Sequence, residues 1–191
     1  MARRHRTFLF EKRKGQGKER QGVQIPVGPL MRHLSGDEEE KARGYFAKAA
    51  EAASKSACER AKCGSVIVKE DRVIGSGCNG PPQNLEEQRR CSNSKDAYHK
   101  KVTDKTCCVH AEQRAIMAAL RENPGKIAGS TLYFVRLNND GTQAPAGRPY
   151  CTICSKMALD AGIAEFVLWH EKGMAAYETG EYNALSFQYG E

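Results

Sequence analysis

Apolar and polar positions change their period several times along the chain, and each change marks an element. Residues 64–69 (Gly-Ser-Val-Ile-Val-Lys) and 72–78 (Arg-Val-Ile-Gly-Ser-Gly-Cys) are runs rich in β-branched side chains, parted only by Glu70 and Asp71. That arrangement predicts a hairpin. Upstream, from Ser35-Gly36-Asp37 to about Lys55, the pattern is helical: a cap-forming Ser35 or Asp37, acidic residues in the first turn and an Ala-rich body. A second helical pattern opens at His110 and runs through Ile116, Met117 and Leu120 to about Glu122, where Asn123-Pro124-Gly125 stops it. Residues 130–136 read as a strand, Cys151 to Ala161 as a helix, and Glu165 to Trp169 as a further strand. Strands alternating with helices predict an α/β layered domain. Residues 82–107 have no period and predict a long polar loop. A loop of that length in a compact domain is functional or disordered, and its place just before the His110 helix predicts that it covers a pocket.

Length and charge refine this. A chain of 191 residues buries one good core. It has no apolar run of eighteen or more residues and no charged-then-apolar leader, so the expectation is a cytoplasmic protein without a membrane span. In such a compartment the eight cysteines read as metal ligands or buried thiols rather than disulfides. Cys58 and Cys63 read as small buried residues, and His5, His33 and His170 suggest no partner. The net charge of +7 is uneven, because residues 1–24 hold eight Lys or Arg against two Glu. The division expected is therefore a basic, disordered tail over 1–34 and a nearly neutral domain over 35–191. Residues 1–24 are a candidate contact for a polyanion, whereas the domain lacks the charge to hold a duplex.

Two short motifs carry the chemistry: His110-Ala111-Glu112 and Cys151-Thr152-Ile153-Cys154. One imidazole and two thiolates make a zinc site with three protein ligands, which leaves the fourth position to water and marks catalytic rather than structural zinc. Glu112, two residues beyond His110, reaches the water rather than the ion and serves as its base. Both motifs fall at predicted helix N-termini, where the helix dipole favours thiolate over thiol.

An H-x-E motif followed by P-C-x-x-C is the known signature of zinc nucleobase deaminases, and the segment over about residues 40–170 resembles the cytidine deaminase superfamily, most closely its deoxycytidylate deaminase branch. Gly75-Ser76-Gly77-Cys78-Asn79-Gly80-Pro81 and Ala161-Gly162-Ile163 add to the likeness. One departure is clear: Tyr150 stands between Pro149 and Cys151, where the family has its proline directly before the cysteine. The resemblance implies a cytidine deaminase-like three-layer domain, with a mixed five-stranded sheet and helices on both faces. It implies one catalytic Zn2+ on His110, Cys151 and Cys154, Glu112 as the proton carrier, and conversion of dCMP to dUMP with release of ammonia. It also implies a homo-oligomer.

By the same resemblance Asn79 and the backbone of Ala111 would contact the substrate, although Asn79-Gly80-Pro81-Pro82 is equally a turn. Arg89, Arg90, Lys95, Lys100, Lys101 and Lys105 are phosphate donors in a loop that also carries acids. Cys91, His99, Cys107 and Cys108 form the candidate second, structural zinc, with Cys78 as a further ligand, against a plain reading as unconnected thiols and a surface histidine. Tyr177 to Glu191 packs over the pocket or into the core. Two other functions fit these motifs: a deaminase of cytidine or adenosine in RNA or DNA, with the tail holding the strand, and a zinc-stabilised binding module without activity.

Overall fold

The computed structural model describes residues 31–189. In chain order it contains β1 (Arg32–His33), α1 (Gly36–Ser54), β2 (Lys62–Lys69), β3 (Arg72–Cys78), three single 3-10 turns between Pro82 and Ala97, and α2 (Ala111–Glu122). There follow β4 (Thr131–Leu137), β5 (Gln143–Ala144), α3 (Thr152–Asp160), β6 (Glu165–His170), β7 (Gly173–Glu178) and α4 (Thr179–Phe187).

The helical period of α1 buries Ala42, Tyr45, Phe46, Ala49, Ala52 and Ala53 along one stripe, and Asp37, Glu38 and Glu39 occupy the positive end of its dipole. Strands β2 and β3 pair through the expected two-residue turn. Glu70 and Asp71 both take positive φ, 51° and 58°, the geometry that matches the twist of a tight hairpin. Asp71 then reaches back to α1, accepting hydrogen bonds from Lys41 Nζ at 3.0 Å and the Tyr45 hydroxyl at 3.1 Å.

The sheet has the order β1-β7-β6-β4-β2-β3, with β5 paired to β4. All pairs are antiparallel except β4 with β6, and that parallel pair needs a crossover, which α3 supplies. Alternation sends successive side chains to opposite faces. Val66, Val68, Tyr133, Val135 and Met174 join the core under α1. Ile67, Leu132, Ala175 and Tyr177 join Ile116, Ala158 and Tyr182 of α2, α3 and α4 on the other. Helices therefore cover both faces, as the α/β reading requires.

Five strands have six residues or more, and β1 and β5 bring the described total to seven, two more than expected. The fifth long strand, β7, is Gly-Met-Ala-Ala-Tyr-Glu, which has no β-branched residue and so no strand signal of its own; it forms because Gly173, at φ 122°, turns the chain back along β6. The boundary drawn at residue 34 also moves. Arg32 and His33 pair with β7, Leu34 is buried, and its N–H donates to Met174 O at 2.9 Å. The ordered domain thus begins before residue 35, while residues 1–30, with the basic segment, lie outside the described residues. At the other end, Tyr177 and Tyr182 are core residues, and Phe187 and Tyr189 are exposed.

Helix α2 lies directly on β3 because two glycines let it. A Cβ on Gly75 would stand 2.5 Å from Ala115 O, and one on Gly77 would stand 2.5 Å from Ala115 N and 2.6 Å from Ala111 O. The Gly-Ser-Gly of the hairpin is thus a docking surface for the first turns of α2. Gly77→Ala is expected to lower stability by about 1–3 kcal/mol through overpacking, read from the urea midpoint. Ser76→Ala, on the exposed face between them, should cost less than about 0.5 kcal/mol.

Candidate active site

The approach to α2 is fixed before the helix begins. Gly80 and Val109 form an isolated antiparallel bridge, with Val109 N–H donating to Gly80 O at 2.9 Å. One turn into the helix, the Arg114 guanidinium donates to Pro81 O at 2.6 Å, Asn84 Oδ1 at 2.8 Å and Gly80 O at 3.2 Å. His110 sits at the N-cap, its own N–H bonded to Gln113 Oε1 at 2.9 Å. Cys151 holds the N-cap of α3 and accepts the Cys154 N–H on its sulfur.

The two helix starts meet. His110 Nδ1 lies 3.2 Å from Cys154 Sγ and 3.3 Å from Cys151 Sγ, and the three donor atoms all fall within 4.8 Å of one another. Bonds of about 2.0–2.1 Å to nitrogen and about 2.3 Å to sulfur at tetrahedral angles put such donors roughly 3.5–3.8 Å apart. The donor set and spacing therefore fit a zinc ion, and His110 of the set lines the cavity described below. Cys154 is fully buried and Cys151 nearly so. The Cys154 thiol holds Cys151 down at about 4, against the opposing effect of burial and with help from His110. Cys154 is correspondingly raised by Cys151 and by burial, and hydrogen bonding to Cys151 pushes His110 up to about 9. A dication binding here would displace the protons held by the imidazole and the second thiol.

Glu112 is buried one residue beyond Ala111, and burial holds its carboxyl above the usual carboxylate range. With His110 and Ala111 it floors a cavity of about 270 Å³. Cys63 near the start of β2, Asn79 just past β3 and Phe134 in the middle of β4 line it, and Tyr150 closes one side. The long loop supplies the remaining wall as expected, through Arg90, Cys91, Asn93, Lys95 and Lys105 to Cys108. Of the loop cations named from sequence, Arg90, Lys95 and Lys105 line the cavity. Arg89 is instead locked onto Glu86 and Ala57 O. Arg60 lines the cavity too and was not legible, since it lies in an irregular connection before β2 with no period or motif around it.

Asn79 lines the cavity but its amide is largely committed to the fold. Oδ1 accepts from Ser56 Oγ at 2.6 Å and Cys63 N–H at 2.9 Å, and Nδ2 donates to Ala61 O at 2.8 Å. One N–H is left for a ligand. Ala111 is buried at the first turn of α2, beside Glu112.

Of the residues named for a second zinc, the three thiols lie together and the histidine stands apart. Cys91 and Cys107 are close, with sulfurs 3.3 Å apart, and Cys108 Sγ is 3.8 Å from Cys107 Sγ. His99, however, is exposed and turned into its own backbone, where Nδ1 accepts the Lys101 N–H at 3.2 Å. Among the described residues His110, Cys151 and Cys154 are the one His/Cys/Asp/Glu group whose donors converge on a common point. His99 follows the short 3-10 turn at Lys95–Ala97 in an exposed stretch of the loop.

Because its amide ties the end of α1 to β2, Asn79→Ala is expected to cost about 1–3 kcal/mol of stability by orphaning buried partners, whatever it does to a ligand. Chemical denaturation measures this, with Asn79→Asp as the isosteric control.

Residues 39–170 match the family model for the cytidine and deoxycytidylate deaminase zinc-binding region. The deoxycytidylate deaminase of Saccharomyces cerevisiae is 36% identical over 127 residues, covering 64% of this chain and 36% of the relative. That of Mycobacterium phage D29 is 33% identical over 129 residues, covering 64% of this chain and 89% of the relative, and that of Schizosaccharomyces pombe is 37% identical over 150 residues, covering 75% and 42%. The chain thus spans well under half of the two yeast relatives and most of the phage one. Among solved structures, the dCMP deaminase of cyanophage S-TIM5 in complex with dCMP and dUMP aligns at 25% identity and a TM-score of 0.48, over 70% of this chain and 82% of that one. On the family match, this chain belongs to the cytidine deaminase superfamily, in the branch of the deoxycytidylate deaminases.

Proposed function

We propose that the protein is a zinc-dependent hydrolase that converts dCMP to dUMP and ammonia. The observation that carries this reading is one of placement. A buried carboxyl, Glu112, stands beside a converging His/Cys/Cys set on the floor of a cavity whose wall offers Arg60, Arg90, Lys95 and Lys105 and, among the described residues, no second carboxylate. The three curated relatives named above, all deoxycytidylate deaminases at 33–37% identity, support the same substrate.

His110, Cys151 and Cys154 would hold one zinc ion, whose chemistry is to acidify a water for attack. Glu112 takes a proton as the water oxygen bonds to C4 of the cytosine and delivers it to N3. It then carries the remaining hydroxyl proton to the exocyclic nitrogen, the C–N bond breaks, ammonia leaves, and the C4 carbonyl of uracil remains. A carboxyl raised by burial suits both directions of that transfer. The Ala111 N–H at the helix start faces the pyrimidine carbonyl, and the free Asn79 N–H faces the sugar. Arg90, Lys95, Lys105 and Arg60 receive the 5′-phosphate.

Retention of Glu112 argues against a purely structural zinc module. Three features support the rest of the reading. All eight cysteines are free, which suits a reducing cytoplasm. No helix of the described residues is long and apolar enough to cross a membrane. Met117, Leu120, Ile153 and Leu159 are exposed apolar side chains on α2 and α3, which suits a homo-oligomer. A polyanion contact through residues 1–24 remains a separate proposal, outside the described residues.

Glu112→Gln should lower kcat by about 10²–10⁴ while zinc content, read by atomic emission, stays that of the parent; parallel loss of zinc would remove the role given to Glu112. Arg90→Ala and Lys105→Ala should each raise KM for dCMP by about tenfold, a charge-assisted hydrogen bond being worth about 1.5–3 kcal/mol. Neither should change KM for deoxycytidine, and equal effects on both substrates would place the phosphate elsewhere.

A further inference from the structure

Among the described residues that line the cavity, Phe134 and Tyr150 carry phenyl or phenol rings, and the proton transfers of deamination use neither. Phe134 lies within β4 and packs against the core on the α2 face. Tyr150 differs: it is 52% exposed and stands immediately before Cys151, where the superfamily has its proline. Its place is fixed from both sides. Upstream, the Ala146 N–H donates to Trp169 O at 2.6 Å and His170 Nδ1 donates to Ala146 O at 3.0 Å, which ties the approach to α3 to the end of β6. Downstream, Cys151 caps α3. The ring itself meets Tyr189, with centroids 5.7 Å apart and planes tilted by 54°. Tyr189 follows α4, and α4 is bound to α3 by Ser155 Oγ donating to Asn183 Oδ1 at 2.9 Å and to the sheet by Tyr182 stacked on Phe166 at 4.0 Å. Helices α3 and α4 thus bring both rings to one side of the cavity. Exposed aromatics scattered singly are ordinary on a protein surface. These two are not scattered: one borders the cavity beside a zinc-ligand candidate, and the other braces it.

We propose that Tyr150 is a base-contacting residue whose ring stacks on the pyrimidine, and that Tyr189 is a positioning residue that holds this ring in its orientation. The identity of the base rests on the deaminase reading given above. A base whose reacting carbon lies at the His110, Cys151 and Cys154 centre is necessarily close to the side chain one residue before Cys151. The cations of the loop answer a phosphate and Glu112 answers the protons, which leaves the flat face of the ring, and an aromatic side chain suits that face because stacking asks for no hydrogen bond. Contact between the two tyrosines leaves much of each ring uncovered, at 52% and 61% exposure, so Tyr150 retains area for a ligand to bury. Two consequences follow from the chemistry. The phenol hydroxyl is dispensable, since a phenyl ring stacks as well. The contact is also felt equally by a nucleotide and its nucleoside, because it is made to the base and not to the phosphate.

The test measures binding of dCMP and of deoxycytidine by equilibrium dialysis to zinc-loaded, full-length protein carrying Glu112→Gln, alongside steady-state kinetics in the Glu112 protein. Tyr150→Ala and Tyr150→Leu should each weaken both ligands by roughly tenfold, the scale of one base–aromatic stack, and raise KM for both by the same factor. Tyr150→Phe should stay within about twofold of the parent, and zinc content should be that of the parent in all three. Tyr189→Ala should weaken binding by about threefold alone and add nothing once Tyr150→Ala is present, since it acts through that ring. Parental affinity in Tyr150→Leu would show that bulk and not the aromatic face matters and would overturn the contact. So would an effect confined to dCMP, or zinc lost from Tyr150→Ala and Tyr150→Phe alike. Unchanged dCMP turnover and affinity in Tyr150→Ala would overturn the contact while leaving the deaminase reading intact, whereas a parent that neither binds nor deaminates dCMP or deoxycytidine would overturn that reading and this contact with it.

Discussion

Everything in this structure depends on two helix N-termini being brought to one point. The imidazole at the start of α2 and the thiols of the first turn of α3 must converge within the span of a single ion, although they come from segments some forty residues apart. Neither helix manages that alone. Gly75 and Gly77 let α2 lie directly on β3, and Arg114 bolts its first turn to the Gly80–Pro81 corner. The parallel pairing of β4 with β6 forces a crossover, and α3 is that crossover, so its N-terminus is delivered to the same end of the sheet. Desolvation follows from the same packing. Glu112 is buried because α2 is pressed against the sheet, and its carboxyl is raised for that reason.

Much of this was legible in the sequence, for reasons that differ by element. The hairpin announced itself because Val66, Ile67, Val68, Val73 and Ile74 are β-branched and Glu70-Asp71 breaks the run. The α2 helix was bounded by chemistry at both ends, and His110, Cys151 and Cys154 were fixed by spacing that few other functions require. β7 was not readable, since Met174, Ala175 and Ala176 have no strand preference and the strand exists only because β6 is there to pair with. Arg60 was invisible for a related reason: its position on the cavity wall comes from tertiary folding of an irregular connection. The second-metal expectation grouped residues that the fold treats differently. Four ligand-type residues in one loop look like a cluster, but His99 is carried to the outer surface and its ring satisfies a local backbone N–H.

Asn79 shows how one residue answers to two demands. Three of its hydrogen bonds hold the end of α1 to the start of β2, and the same amide borders the cavity. The motif around it, Gly75 to Pro81, is likewise structural first: it seats α2, closes the corner and only then lines a pocket. The long loop completes the wall with cations, and its sparse secondary structure, three single 3-10 turns, leaves it held by side-chain anchors such as Arg89 and Arg60 rather than by a ladder.

The central claim is that this cavity deaminates a free cytosine nucleotide. Ammonia release measured side by side on dCMP, deoxycytidine and a cytosine-containing oligonucleotide tests it most directly. The account predicts turnover of dCMP, weaker turnover of deoxycytidine for want of the phosphate, and none of the oligonucleotide; activity confined to the oligonucleotide would contradict it.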